Sequence, residues 1–375
     1  MLHRRMMIAG AASLLLVTAA PPLGADAVSP NDTARFLAGL PPAADSPLAA
    51  LTKDGGWQQH ATTFNSTFER VEKSQLSRVR AWSASHLNEP KSTLFYMFSG
   101  PDFLYANAFF PKAKTYVLAG LEPAGSIPDL TKLRSLGSDL NQLRNSLHWI
   151  LQYSYFITSQ MSSDLRRGRL TGTLPVLYVF MARSGKTVRE VSYVKLDETG
   201  ALQPDSDTSK KVPARGVKIV FADSDGEERT LYYFSTDLSN GGVDGSKFLS
   251  FLESLGPGDG FVKSASYLPH NPGFSKVRDF LLAQSNAIVQ DDTGIPLARY
   301  ETQKWELHPH GKYVGPIPVF RGMHNAKYAA LFKNAPPIDF SLGYRWKPNQ
   351  SNLLLAIKKP GISTSIQQFA SDSAQ

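Results

Sequence analysis

Between Thr93 and Leu121 the chain spells out a complete strand, turn, helix and strand, and no other stretch restricts the fold as tightly. Thr93 to Phe98 is an apolar, aromatic run suited to a buried strand. Ser99-Gly100-Pro101-Asp102 reads as a turn, with Pro101 placed to open a helix through Phe109, and Thr115 to Leu121 forms a second strand ending at Glu122-Pro123. Strands joined this way pair in parallel as a βαβ crossover, a connection no tight hairpin can make. The fold class that follows is α/β.

A second crossover-like unit lies further on: a strand over Gly260–Leu268, a helix over Phe274–Ser285 and a strand over Ala287–Gln290, ending in Asp291-Asp292-Thr293-Gly294-Ile295-Pro296. Ahead of the first unit, Ser29-Pro30 opens a short helix to Leu40. Trp57 to Leu87 then carries Trp57, Ala61, Phe64, Phe68, Val71, Val79 and Trp82 at mostly helical spacing. Leu130 to Leu165 reads as one long helix, because Leu133, Leu136, Leu140, Leu143, Leu147, Ile150, Ser154, Ile157 and Met161 alternate three- and four-residue steps. A core helix is the expectation and a partner-binding coiled coil the alternative; Arg166, Arg167 and Arg169 fit its C-terminal end.

Pro175–Ala182 and Val188–Leu196 read as a hairpin-like pair, as do Val217–Ala222 and Thr230–Phe234 around Asp223-Ser224-Asp225-Gly226. Residues 200–213 read as an exposed loop. After Arg299 the chain is loop-rich and aromatic up to a final strand over Asn352–Ile357. The expected architecture is a mixed sheet with Rossmann-like βαβ units, antiparallel hairpins and a helical N-terminal layer. In chain order this gives a signal peptide over 1–27, a helical segment over 28–90, an α/β core over 91–300 and a loop-rich segment over 301–375 packed on that core.

The signal peptide rests on Arg4 and Arg5, the apolar run Met6–Ala20 and the small residues of Ala25-Asp26-Ala27. The expected location is periplasmic or secreted after cleavage near Ala27. A Sec leader is the reading, and Arg4-Arg5-Met6-Met7-Ile8 leaves a twin-arginine route as the alternative. No later run is long and apolar enough to span a membrane. The 375 residues contain no cysteine, which removes disulfides, thiolate nucleophiles and zinc–thiolate sites. The net charge of +8 is spread without an arginine-rich tract or aromatic ladder, so nucleic acid is not expected as a partner.

Two clusters follow strand ends, where α/β proteins hold ligands. The first is Ser99, Gly100 and Asp102 with Glu122; the second is Asp291 and Asp292. The paired aspartates suit a divalent metal or an acid–base couple, and equally an Asp-capped turn. His308-Pro309-His310 aims two imidazoles from an extended segment, and with His270 or Asp292 they could hold a metal ion. Ser184-Gly185-Lys186-Thr187 ends like a phosphate loop, but Phe180 stands where a glycine is needed. The spacing of Asp223-Ser224-Asp225-Gly226-Glu227-Glu228 is wrong for a calcium loop.

From Thr93 to Glu122 the pattern resembles Rossmann-like nucleotide folds such as methyltransferases. That resemblance implies a glycine turn facing the ligand at Gly100 and an acid holding a ribose at Glu122; the turn has one glycine rather than three. The segments Phe98–Tyr105, Gly120–Pro123 and Gln290–Pro296 also resemble an uncharacterised group of exported bacterial proteins, which brings no activity with it. The function expected first is binding of a small-molecule or glycan-like ligand at the strand-end edge formed by Ser99, Asp102, Glu122, Asp291 and Asp292. The alternatives are a metal- or carboxylate-dependent hydrolase using Asp291 and Asp292 with His308 and His310, and a methyltransferase-type fold.

Overall fold

The computed structural model describes residues 28–361 apart from 134, 157–162, 164–168 and 209–211. The leader read over 1–27 lies outside these residues, as do Ile157, Met161, Arg166 and Arg167. Ten strands form one sheet: β1 Thr93–Tyr96, β2 Thr115–Gly120, β3 Thr187–Leu196, β4 Leu202–Pro204, β5 Arg215–Ala222, β6 Glu228–Ser235, β7 Gly258–Val262, β8 Ser285–Gln290, β9 Trp305–Gly311 and β10 Asn352–Lys358. Their spatial order is β4-β3-β5-β6-β2-β1-β7-β8-β10-β9.

The centre, β6-β2-β1-β7-β8, is parallel throughout, and Thr93, Leu94, Phe95 and Tyr96 pair with Thr115, Tyr116, Val117 and Leu118. Antiparallel pairs finish both sides, β3, β4 and β5 on one and β10 and β9 on the other. Numbered along the chain, the parallel strands stand in the doubly wound order 3-2-1-4-5, the reversal falling between β1 and β7.

A parallel sheet is buried on both faces. Leu94, Tyr96, Tyr116, Leu118, Phe261 and Leu353 enter one apolar core, and their neighbours Phe95, Val117, Val262 and Leu354 enter the other. The first face is covered by α1 Pro30–Leu37, α2 Gly55–Val71, α3 Ser77–His86, α4 Phe103–Phe109, α5 Leu136–Ser146, α6 His148–Tyr153 and α7 Leu174–Arg183. The second is covered by α8 Asn240–Ser246, α9 Phe248–Ser254, α10 Ser275–Gln284 and α11 Ala326–Leu331.

The expected N-terminal layer is present. Ser29 caps α1, Asp54 caps α2 through the amides of Gly56 and Trp57, and all seven apolar residues picked out between Trp57 and Trp82 are buried. Between α2 and α3, Glu72–Leu76 form a π turn. There Gln75 grips Ser341 twice, accepting from its amide at 2.9 Å and donating to its hydroxyl at 2.8 Å.

Five expectations need correction. The run 130–165 is not one helix: a 3₁₀ turn Leu130–Lys132, α5 and α6 replace it among the described residues, and α6 stops where Ser154 turns left-handed at φ 66°. Pro175–Ala182 is not a strand but the body of α7, with Pro175 in the first turn and every residue from Leu174 to Ala182 buried; a helix enclosed all round has the same unbroken apolar run as a buried strand. The loop-rich C-terminal segment contributes β9, and the loop 200–213 contributes β4, so both belong to the sheet. Finally, Asp102 rather than Pro101 starts α4, its carboxylate accepting from the Tyr105 amide.

Phe261 is central to the first core, with ring centroids 4.4 Å from Tyr96 and 4.9 Å from Phe109. Phe261→Ala should cost about 3–5 kcal/mol in a urea melt, whereas the same change at exposed Trp346 should cost under about 0.5 kcal/mol.

Candidate functional site

Where the winding reverses, the turns after adjacent parallel strands diverge and leave a crevice at the carboxyl edge of the sheet. A cavity of about 620 Å³ occupies it. Its walls come from the residues after β1 (Phe98 to Gly100, and Asp102), after β2 (Leu121 and Glu122), after β6 (Thr236 and Leu238) and after β7 (Lys263 to Ser266). Tyr155, Phe156, Phe274, Phe320 and Tyr344 close it with apolar and aromatic surface. Ser99, Gly100, Asp102 and Glu122, expected from sequence to share a site, therefore do line one cavity.

The turn after β1 is held against the end of β2. The amides of Ser99 and Gly100 both donate to the Ala119 carbonyl, at 3.2 and 3.1 Å. Gly120 packs directly on Gly100: a Cβ there would lie 3.0 Å from the Gly100 Cα and 2.8 Å from Glu122 Oε2. Glycine at 120 is thus what allows the Glu122 carboxylate to fold back beside the turn. Glu122 is buried, and its carbonyl accepts from the Tyr233 hydroxyl at 2.7 Å.

Asp102 and Lys263 form the floor as an ion pair at 2.8 Å, each side chain only 2% exposed. Asp102 also accepts from the Tyr96 hydroxyl at 2.8 Å and from the Tyr105 amide at 3.1 Å. Lys263 also donates to the Ser154 carbonyl and sits 4.1 Å from the centre of the Tyr105 ring. Burial, and after it the neighbouring Asp102 charge, pushes the Tyr96 hydroxyl well above its ordinary range, so it stays a donor. Removing one member of such a pair strands a buried charge.

Lys263 was not singled out from sequence. The signal was there, since a lysine closes an otherwise apolar run, but Gly260–Leu268 reads as a single strand. In fact β7 ends at Val262 and the chain turns sharply. Six non-glycine residues among those described have positive φ; Phe98, Ser264, Ser266 and Tyr267 lie in the turns after β1 and β7, and Ser154 contacts Lys263. Each costs on the order of 1 kcal/mol, and such residues concentrate where ligands bind.

Asp291 and Asp292 do not line the cavity; they brace its wall from behind. Asp291 accepts from the Ser264 amide at 2.9 Å and from Thr293 through both its amide and its hydroxyl. Gly343 lies against it so closely that a Cβ there would stand 2.1 Å from the carboxylate. Asp292 accepts from the Tyr267 hydroxyl and from Asn352 at 3.0 Å. Burial raises both carboxyls above their ordinary range, and the adjacent Asp292 charge raises Asp291 further.

The histidines go elsewhere. His310 lies on β9, separated from β8 by β10, with its ring 5.2 Å from Trp82 and 4.5 Å from His86. His308 faces Glu306 at 3.4 Å, and His270 packs on Tyr267. Among the described residues no group of three His, Asp or Glu converges to hold a metal ion. Lys186, from the near-miss phosphate loop, pairs with Asp223 at 2.8 Å.

Comparison of this chain with protein-family models, with curated proteins and with solved structures finds no match.

Two experiments probe these assignments. Lys263→Met should lower stability by about 3–5 kcal/mol, and the double change with Asp102→Leu should recover much of that loss, measured by denaturant melts as a double-mutant cycle. Burial holds His310 down to about 4, against 6.5 in an unfolded chain. Between those values the unfolded chain binds the extra proton, so this group's contribution is complete above about 6.5 and is lost as pH falls toward 4. His310→Gln should narrow the stability difference between pH 7 and pH 5 by on the order of 1 kcal/mol.

Proposed function

We propose that this protein binds a small hydroxyl-bearing organic molecule in the carboxyl-edge cavity. The observation that carries the reading is the position of the cavity at the point where the winding of the parallel sheet reverses. Its lining divides the work. Glu122 and the Ser99-Gly100 turn supply polar contacts from adjacent strand ends, while Phe98, Phe274, Phe320 and Tyr344 supply flat apolar surface. A nucleoside and a short glycan both combine hydroxyls with a stackable face, so both suit these walls.

A second reading, a methyltransferase-type fold, is favoured by one further observation. The strand order 3-2-1-4-5 places Gly100 after the first strand and Glu122 at the end of the second, where an acid accepts from ribose hydroxyls. The seven-residue α4 and the single glycine depart from the usual phosphate turn. The hydrolase reading has no comparable support, because Asp291 and Asp292 are taken up in bracing Ser264, Tyr267 and Asn352 and share no contact with His308 or His310. The reading of residues 1–27 as an export leader belongs to the same proposal and places the binding outside the cytoplasm.

Native mass spectrometry of the purified protein, followed by thermal-shift titration with nucleosides and oligosaccharides, tests the proposal. Glu122→Ala should weaken a bound ligand roughly tenfold or more. If no member of either class binds, or if Glu122→Ala binds as well as the parent, the reading is wrong.

A further inference from the structure

Among the described residues the exposed large apolar side chains are Leu121, Ile127, Val314, Val319 and Trp346, with Leu121 69%, Val319 75% and Trp346 64% accessible. Scattered singly they would mean nothing. They are not scattered: Leu121 and Ile127 lie in the connection leaving β2, and the other three in the connection from β9 to β10. Because β9 runs parallel to β8 and β10 runs against both, that second connection stands on the carboxyl edge, the same edge as the cavity mouth. Leu121 and Val319 are themselves part of the lining.

The connection from β9 to β10 is cationic. Residues 312–351 hold Lys312, Arg321, Lys327, Lys333, Arg345 and Lys347 against a single acid, Asp339, which turns away to Arg78 at 3.9 Å. On neighbouring turns Asp129 pairs with Lys132 at 2.6 Å and Asp244 with Lys276 at 2.5 Å, while exposed Asp237 accepts from Ser239. Aromatic rings complete the patch: Trp346 stands 5.2 Å from Tyr153, and Tyr155 stands 4.9 Å from Tyr344 at the mouth.

We propose that the carboxyl edge docks on the surface of an anionic bilayer, with Val314, Val319 and Trp346 entering the headgroup region and Arg321 and Lys347 meeting lipid phosphates. Apolar tips set among cations and flanked by Trp and Tyr are what an interfacial surface requires, since the rings take the boundary and the cations take the anionic headgroups. The core of a protein interface is instead depleted of lysine. No described helix is long and apolar enough to cross a membrane, so the contact is peripheral. Docking turns the cavity mouth toward the bilayer; that consequence rests on the ligand-binding reading, whereas the docking itself does not.

The test uses the full chain with vesicles of phosphatidylcholine alone and of phosphatidylcholine mixed equally with phosphatidylglycerol. Trp346 serves as the reporter, because Trp57, Trp82 and Trp305 are buried and Trp149 is half-buried, and Trp346→Phe isolates its share of the signal. Expected are cosedimentation with the anionic vesicles only, a blue shift of tryptophan emission that is absent in Trp346→Phe, and release by high salt. Val314→Asp combined with Lys347→Glu, neither of which lines the cavity, should weaken vesicle binding roughly tenfold or more with circular dichroism unchanged.

Failure to bind anionic vesicles overturns the proposal, as does binding with no change at Trp346 or binding indifferent to lipid charge. Self-association that the double variant abolishes would assign the patch to a second copy of the chain and would overturn it as well. Glu122→Ala keeps the two readings apart: vesicle binding intact with ligand binding lost supports docking, and failure of the cavity proposal leaves the vesicle result standing.

Discussion

A strand paired in parallel on both sides has side chains on two faces and can leave neither wet. Five of the ten strands here are in that parallel block, and the architecture follows from hiding both of their surfaces. The helices α1 to α7 cover one surface and α8 to α11 the other, so the chain must change sides once. The change happens between β1 and β7, and the gap between their diverging turns is a byproduct of the covering. The site is in this sense a consequence of burial, later furnished with Glu122, Lys263 and aromatic walls.

What keeps the gap open is polar rather than apolar. Asp102 ties α4, β1 and β7 together through Tyr105, Tyr96 and Lys263, and Lys263 passes the tie on to Ser154. Asp291 does the same for the turn after β7 through Ser264 and Thr293. Desolvating these charges is expensive, and a wholly apolar floor would cost less in stability. Their presence beside a cavity, next to backbone held left-handed, supports the proposal that the cavity binds a ligand.

The sequence showed much of this and missed the rest for identifiable reasons. The Thr93–Glu122 unit was legible because strand, glycine turn and strand occur within one short window, and with it came Ser99, Gly100, Asp102 and Glu122. Asp291 and Asp292 were visible as a pair, but adjacency in sequence does not reveal that Asp291 is turned to the Ser264 and Thr293 amides and Asp292 to Tyr267 and Asn352. Lys263 escaped because only the backbone shows that β7 stops at Val262. Leu174–Arg183 was misread because an enclosed helix has no polar face to mark its period, and β9 because Pro309 breaks the look of a strand at a sheet edge where proline is tolerated.

The last strand among the described residues is not the last strand of the sheet. β10 lies between β8 and β9, so β9, made earlier, has no partner until the final described residues arrive. The connection that carries Tyr344 is clasped by Gln75 of the π turn, more than two hundred residues upstream. The order of synthesis and the order of assembly are therefore at odds. The central strands can pair before residues 312–358 are in place, yet the wall of the cavity closes only once they are. Loss of Asn352–Lys358 would remove not a dispensable edge but the strand that ties β9 to the rest of the sheet.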